Sequence, residues 1–139
     1  MAKRQGFKSP KNKKSKRFKV DNLKKPPNYD LSKPIFSFKH MKYQGHYCIS
    51  MCEGDEKSFI IDTLLRFSQL TWREIKRLPK QFGFEKMPPY RFKVALPQIL
   101  TPEVPILVAR YGGEGGRLAG FRNKDVYHVV LVGKDLYPH

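Results

Sequence analysis

The chain has 139 residues, with 28 lysines and arginines against 12 aspartates and glutamates, for a formal net charge of +16. That length fits one domain with an ordinary core, but the charge far exceeds the roughly 2–8 units a small domain uses for solubility, and a polyanion whose phosphates release counterions on contact is the partner that answers it. Two cysteines are too few for a disulfide framework, no apolar run approaches the ~20 residues that span a bilayer, and the charged N-terminus lacks the apolar core of a secretory signal, so a cytoplasmic protein with no membrane partner is expected.

Residues 1–28 read as a basic flexible tail and residues 29–139 as a single α+β domain. Within residues 1–25 there are eleven basic side chains and one acid, Asp21. The segment is poor in aliphatic residues and cannot bury enough surface to offset its ordering entropy. Pro26 and Pro27 close it as a stiff extended linker. Its cations, Lys3, Arg4, Lys8, Lys11, Lys13, Lys14, Lys16, Arg17, Lys19, Lys24 and Lys25, are candidate phosphate contacts. Phe7 and Phe18 interrupt the charge, either to stack on bases as aromatics do in single-strand binders or simply to pack on the body.

The body begins near Tyr29. Ile35–Phe38 and Tyr47–Met51 are short aromatic and β-branched runs separated by Lys42, Gln44 and Gly45, and they predict one or two early strands. A helix opens at Gly54-Asp55, where Asp55 and Glu56 meet the positive end of the helix dipole. Phe59, Ile60, Ile61, Leu64, Leu65 and Phe67 are spaced to bury one broad face of it. Thr71-Trp72-Arg73-Glu74 is a capping box that starts a second helix, and Pro79 ends it. Trp72, Ile75 and Leu78 form its apolar stripe. Arg73, Lys76, Arg77 and Lys80 crowd the other side, either as a solvated face or as a face laid along phosphates. Residues 81–103 are rich in proline, glycine and aromatics. Tyr90–Val94 is a candidate strand that Pro97 interrupts.

The last third predicts an antiparallel meander with strands over 104–111, 117–122 and 126–132, joined by a glycine-rich turn at 112–116 and a tight loop at Asn123-Lys124-Asp125. The glycine turn lacks the spacing of a phosphate-binding loop and no helix follows it, so a hairpin accounts for it better. His40, His46, Cys48 and Cys52 supply four ligand-type side chains, but their spacing matches no compact zinc pattern. Neither a metal nor a cofactor is expected. The acids are too scattered for two-metal nuclease chemistry.

Metal-free RNA cleavage needs a base for the 2′-hydroxyl, an acid for the leaving oxygen and cations for the phosphorane. The last strands and terminal segment carry residues suited to these roles. His128 or His139 would transfer the proton, with Arg117, Arg122 or Arg110 as phosphate clamp and Tyr137 nearby. Arg117 and Arg122, five positions apart, face opposite sides of a regular strand, as do Tyr127 and His128, and the plainer alternative makes Tyr127 a core residue and His128 a surface one.

The order strand, helix, helix, three antiparallel strands, in a short basic chain ending VPILVARYGGEGGRLAGFRNKDVYHVVLVGKDLYPH, resembles the RelE/ParE superfamily of bacterial toxins over residues 55–139. The resemblance implies a twisted antiparallel sheet of four or five strands, concave on one side, with two helices on the other. It also implies, for the RelE branch, metal-free cleavage of ribosome-bound mRNA and a protein antitoxin. The basic tail and the long stretch between helix and meander depart from that pattern. Several segments, PIFSFKHM among them, are also similar to short bacterial or mobile-element proteins. The leading expectation is therefore an RNA-binding protein, with toxin-type endoribonuclease activity as its specific form. A non-catalytic nucleic-acid-binding accessory of a mobile element or of a defence or anti-defence system is the alternative, and a structural ribosome-associated protein with a Lys-rich tail is the third reading; the partners these imply are a protein antitoxin or a larger nucleoprotein complex.

Overall fold

The computed structural model describes residues 27–138, apart from Ala95, Ile99, Gly113 and Glu114. The basic tail up to Lys25, and His139, lie outside the described residues. Five strands form one sheet: β1 (Ile35–Ser37), β2 (Glu85–Met87), β3 (Ile106–Tyr111), β4 (Gly116–Asn123) and β5 (Val126–Gly133), in the order β1-β5-β4-β3-β2. Two helices accompany it, α1 (Gly54–Ser68) and α2 (Trp72–Lys76). The meander β3-β4-β5 is antiparallel and follows the predicted strands closely, because alternating apolar residues and short turns specify it locally.

The sheet is mixed, which corrects the all-antiparallel expectation. β1 pairs with β5 in parallel, Ile35 opposite Val126 and Ser37 opposite His128. A three-residue parallel partner, reached from Ile35 to Val126 across about two thirds of the chain, leaves no local signal. Two further predicted strands are also absent. Tyr47–Met51 carries a 3-10 turn at Ile49–Met51, entered through Gln44 and Tyr47 at φ of 59° and 60°, conformations that a strand does not contain. Tyr90–Val94 instead enters a 3-10 turn at Pro89–Arg91, since Pro88 and Pro89 have no N–H to give a ladder.

The two helix starts follow their capping chemistry. At α2, Thr71 Oγ1 accepts from the Glu74 amide at 3.2 Å and Glu74 Oε1 accepts from the Thr71 amide at 2.9 Å. Glu53 and Glu56 make the equivalent reciprocal pair at α1. The buried stripe of α1 is narrower than its sequence implies. Ile60, Thr63, Leu64 and Phe67 are buried, while Phe59, Ile61 and Leu65 remain exposed.

Both faces of the sheet are covered. On one face α1 and α2 bring Ile60, Leu64, Phe67, Trp72 and Ile75 onto Leu118, Tyr127, Val129 and Val132. On the other, Phe92, Val94, Leu96, Leu100, Val104, Leu136 and Tyr137 cover Ile106, Val108, Phe121, Val130 and Leu131. The described residues of 88–104, read from sequence partly as a proline-rich stretch and partly as a candidate strand, thus cover this second face. It is tied to the C-terminal segment where the Lys93 amide donates to the Leu136 carbonyl at 2.9 Å. A β-bulge next to Ala119 and Gly120 lets consecutive Val130 and Leu131 both serve the second core before Val132 returns to the first.

Candidate nucleic-acid interface

Trp72 anchors a concavity beside α2. Its amide donates to the Ser32 carbonyl at 3.0 Å and its Nε1 to the Asp125 carbonyl at 3.1 Å. The Ile35 amide donates to that same carbonyl at 3.0 Å, so β1, α2 and the β4–β5 turn meet at one atom. Phe84 stacks beside Trp72, 5.8 Å between ring centroids and 27° between planes, and it also stacks on Phe67. On top lies the Arg122 guanidinium, 4.2 Å from the centre of the Trp72 ring.

Arg122 is held at both ends of its fork. Its Nε donates to the Lys124 carbonyl at 2.6 Å and an Nη donates to Asp30 at 2.8 Å. The other Asp30 oxygen accepts from Lys76 Nζ at 2.7 Å. Hydrogen bonds from Lys76 first, and from Arg122 next, hold the Asp30 carboxyl below the usual carboxylate range. The result is a cleft of about 570 Å³ between α2 and the β2–β3 edge of the sheet. Phe84, Leu107, Val104 and Pro105 give it an apolar floor over Trp72 and Ile75, and Lys76, Lys86 and Arg122 converge on it. Lys86 reaches it because it stands opposite Leu107 in the β2–β3 ladder, on the helix-covered face.

A second group forms on the other face. His128 is buried, stacked on Phe121 at 4.8 Å and 27°, with the edge of His40 against it at 4.9 Å. This burial corrects the surface expectation for His128, and its Nδ1 has no hydrogen-bond partner among the described residues. Burial first, then the charges of His40 and Lys39, holds its pKa below the ordinary imidazole value.

The residues named from sequence for cleavage divide between these places. Tyr127 and His128 face opposite ways, Tyr127 into the helix-side core with its hydroxyl on the Leu107 carbonyl at 2.6 Å. Arg122 is on the helix side, in the cleft, whereas His128 is on the opposite side. Arg117 stands directly opposite Arg110 in the β3–β4 ladder and donates to the Gly116 carbonyl at 3.0 Å. Strand alternation puts that pair on the His128 side, yet Arg117 pairs with Gly133 at the far end of β5 from His128. Tyr137 is buried edge-on to Phe92 at 5.4 Å, beneath the Arg91 guanidinium. Among the described residues the set therefore does not converge on one centre.

Of the basic helix-two residues, Lys76 enters the cleft, Lys80 pairs with Glu85 at 3.3 Å, and Arg73 and Arg77 are exposed. Sequence reasoning missed Lys86, Phe84 and Asp30 as parts of one site. It also missed His40 beside His128. Among the described residues no three His, Cys, Asp or Glu side chains gather as metal ligands, and no helix is long and apolar enough to cross a membrane.

Fold and site together define a small basic α+β protein with a mixed five-stranded sheet and a cationic, aromatic-backed cleft. No family model, curated protein or solved structure matches the chain.

Proposed function

We propose that this is a cytoplasmic RNA-binding protein that engages single-stranded or looped RNA. The observation that carries it is the convergence of Lys76, Lys86 and Arg122 on an apolar cleft backed by Trp72 and Phe84, in a chain of net charge +16. Cations beside aromatic and guanidinium surfaces suit phosphates next to splayed bases, the form in which RNA is mostly read. Duplex DNA is a poorer fit. Its major groove takes a projecting helix or ribbon. The five-residue α2 is too short to project, and the exposed side of α1 carries Phe59, Ile61 and Leu65.

Fluorescence anisotropy of labelled single-stranded RNA, duplex RNA and duplex DNA with the full chain, taken from low to moderate salt, tests this. Single-stranded RNA should bind tightest, with affinity falling as salt rises. Equal or tighter binding of duplex DNA would overturn the RNA assignment.

The geometry favours a non-catalytic binder over a nuclease, since Arg122 and His128 lie across the sheet from each other. Metal-free cleavage of ribosome-bound mRNA, kept in check by an antitoxin, is the second reading, and the His40–His128 contact at 4.9 Å is what favours it. Induced expression in a bacterium separates the two. A cleaving toxin arrests growth, and alanine at His128, His139, Arg117, Arg122 or Tyr137 would then lower the rate roughly a hundredfold at each true catalytic group. A passive binder leaves growth intact.

A further inference from the structure

We propose that the cleft between α2 and the β2–β3 edge is a pocket for one unstacked nucleotide, and that Asp30 is a built-in anion which the nucleotide's phosphate displaces from Lys76 and Arg122. This rests on the RNA-binding function and assigns its ligand unit and its internal competitor.

The volume of about 570 Å³ lies within the roughly 300–1,000 Å³ of small-ligand sites. The lining has the usual division of labour, with an apolar floor for a planar body and few polar groups to orient it. The Trp72–Arg122 stack supplies the planar surface. Trp72 itself is only 1% exposed, so a base cannot reach it. The Arg122 guanidinium covers it and lines the cleft, and bases stack on guanidinium planes as they do on aromatic rings. Phe84 and Leu107 provide the apolar contact below.

The cations are set for the phosphate. Asp30 joins Lys76 at 2.7 Å and Arg122 at 2.8 Å, one carboxylate oxygen to each, and so occupies two of the three charges. Its side chain keeps 30% of its exposure, so solvent and ligand reach the bridge. Lys86 has no ion-pair partner among the described residues and is the charge that meets an incoming anion first. A phosphate oxygen can replace the carboxylate on both cations without moving the backbone, because the Arg122 fork stays pinned by the Lys124 carbonyl.

The test uses a feature of the chain itself, because Trp72 is its only tryptophan. Its emission is followed on the full-length protein during titration with adenosine monophosphate, uridine monophosphate and inorganic phosphate, and RNA affinity is followed separately by anisotropy. Both nucleotides should change the Trp72 signal saturably, and phosphate alone should bind more weakly. Asp30→Asn should tighten nucleotide binding about fivefold by freeing two cations. Lys86→Met, which keeps the stem and removes the charge, should weaken it by about the same factor. Thermal melts of both variants confirm that they fold, and Lys86→Met decides the matter if Asp30→Asn does not. Unchanged or weaker binding by a folded Asp30→Asn would overturn the displacement. A silent Trp72 together with unaltered RNA affinity in Lys86→Met would overturn the pocket while leaving RNA binding intact. If labelled RNA fails to bind the full chain at all, the RNA-binding function itself falls.

Discussion

His128 is where one buried atom has a measurable consequence. The imidazole is stacked on Phe121 with the edge of His40 against it, its Nδ1 has no hydrogen-bond partner among the described residues, and Lys39 adds a nearby positive charge. Burial, then His40 and Lys39, depress its pKa, so the folded protein resists a proton that the unfolded chain accepts near pH 6.5. Above that value both states are neutral at His128 and stability is unaffected. As pH falls through it the unfolded state binds the extra proton and gains, so stability drops over the window below about pH 6.5, by at most ~1.4 kcal/mol per pH unit. Urea midpoints measured across that window should fall for the natural chain and fall less for His128→Leu. Identical pH dependence in the two would show that His128 is not the group responsible.

At the scale of elements, the β4–β5 bulge lets one strand serve two cores. A Cβ at Gly120 would collide with the His128 carbonyl oxygen and press on its carbon at 2.9 Å and on the Tyr127 ring at 3.0 Å. Those atoms belong to backbone and to a fully buried ring, so they cannot move aside cheaply. Gly120→Ala should therefore destabilise by about 3 kcal/mol, visible as a lowered denaturant midpoint. A destabilisation under about 0.5 kcal/mol would mean that the ladder relaxes around the methyl group. The same element explains how the second face is covered. Val130 and Leu131 both join the cluster that holds Phe92, Leu96 and Leu136, which makes a stretch with little regular structure part of the core.

At the scale of the whole molecule, the proposed RNA-binding function divides its work between charge and fold. Residues 1–25 hold eleven cations against one acid, whereas the rest of the chain holds 17 against 11. Much of the counterion release on RNA should come from the tail, and the orienting interactions from the cleft. Deleting residues 1–25 should weaken RNA binding and flatten the plot of log affinity against log salt by roughly 0.7 for each phosphate that the tail neutralises. Lys86→Met should lower affinity with a far smaller change in slope. A deletion that leaves the slope unaltered would show that the tail does not touch phosphate.

Charge, caps and the meander were legible in the sequence because each acts over a few residues. Thr71 and Glu74 find each other one helical turn apart, and the alternation in β3 to β5 needs only short turns to become a sheet. Lys76 and Arg122 were recognisable as phosphate-binding types, and the opposition of Tyr127 to His128 followed from strand periodicity. Tertiary structure alone decided the parallel pairing of β1 with β5, the covering of the second face by residues 88–104, and the meeting of Asp30, Lys76, Lys86 and Arg122 around Trp72. Those four side chains come from a turn, a helix and two strands that are neighbours only after both cores have closed. Their convergence is a product of burying apolar faces far apart in the chain, and that non-local packing leaves no periodicity at the cleft residues themselves.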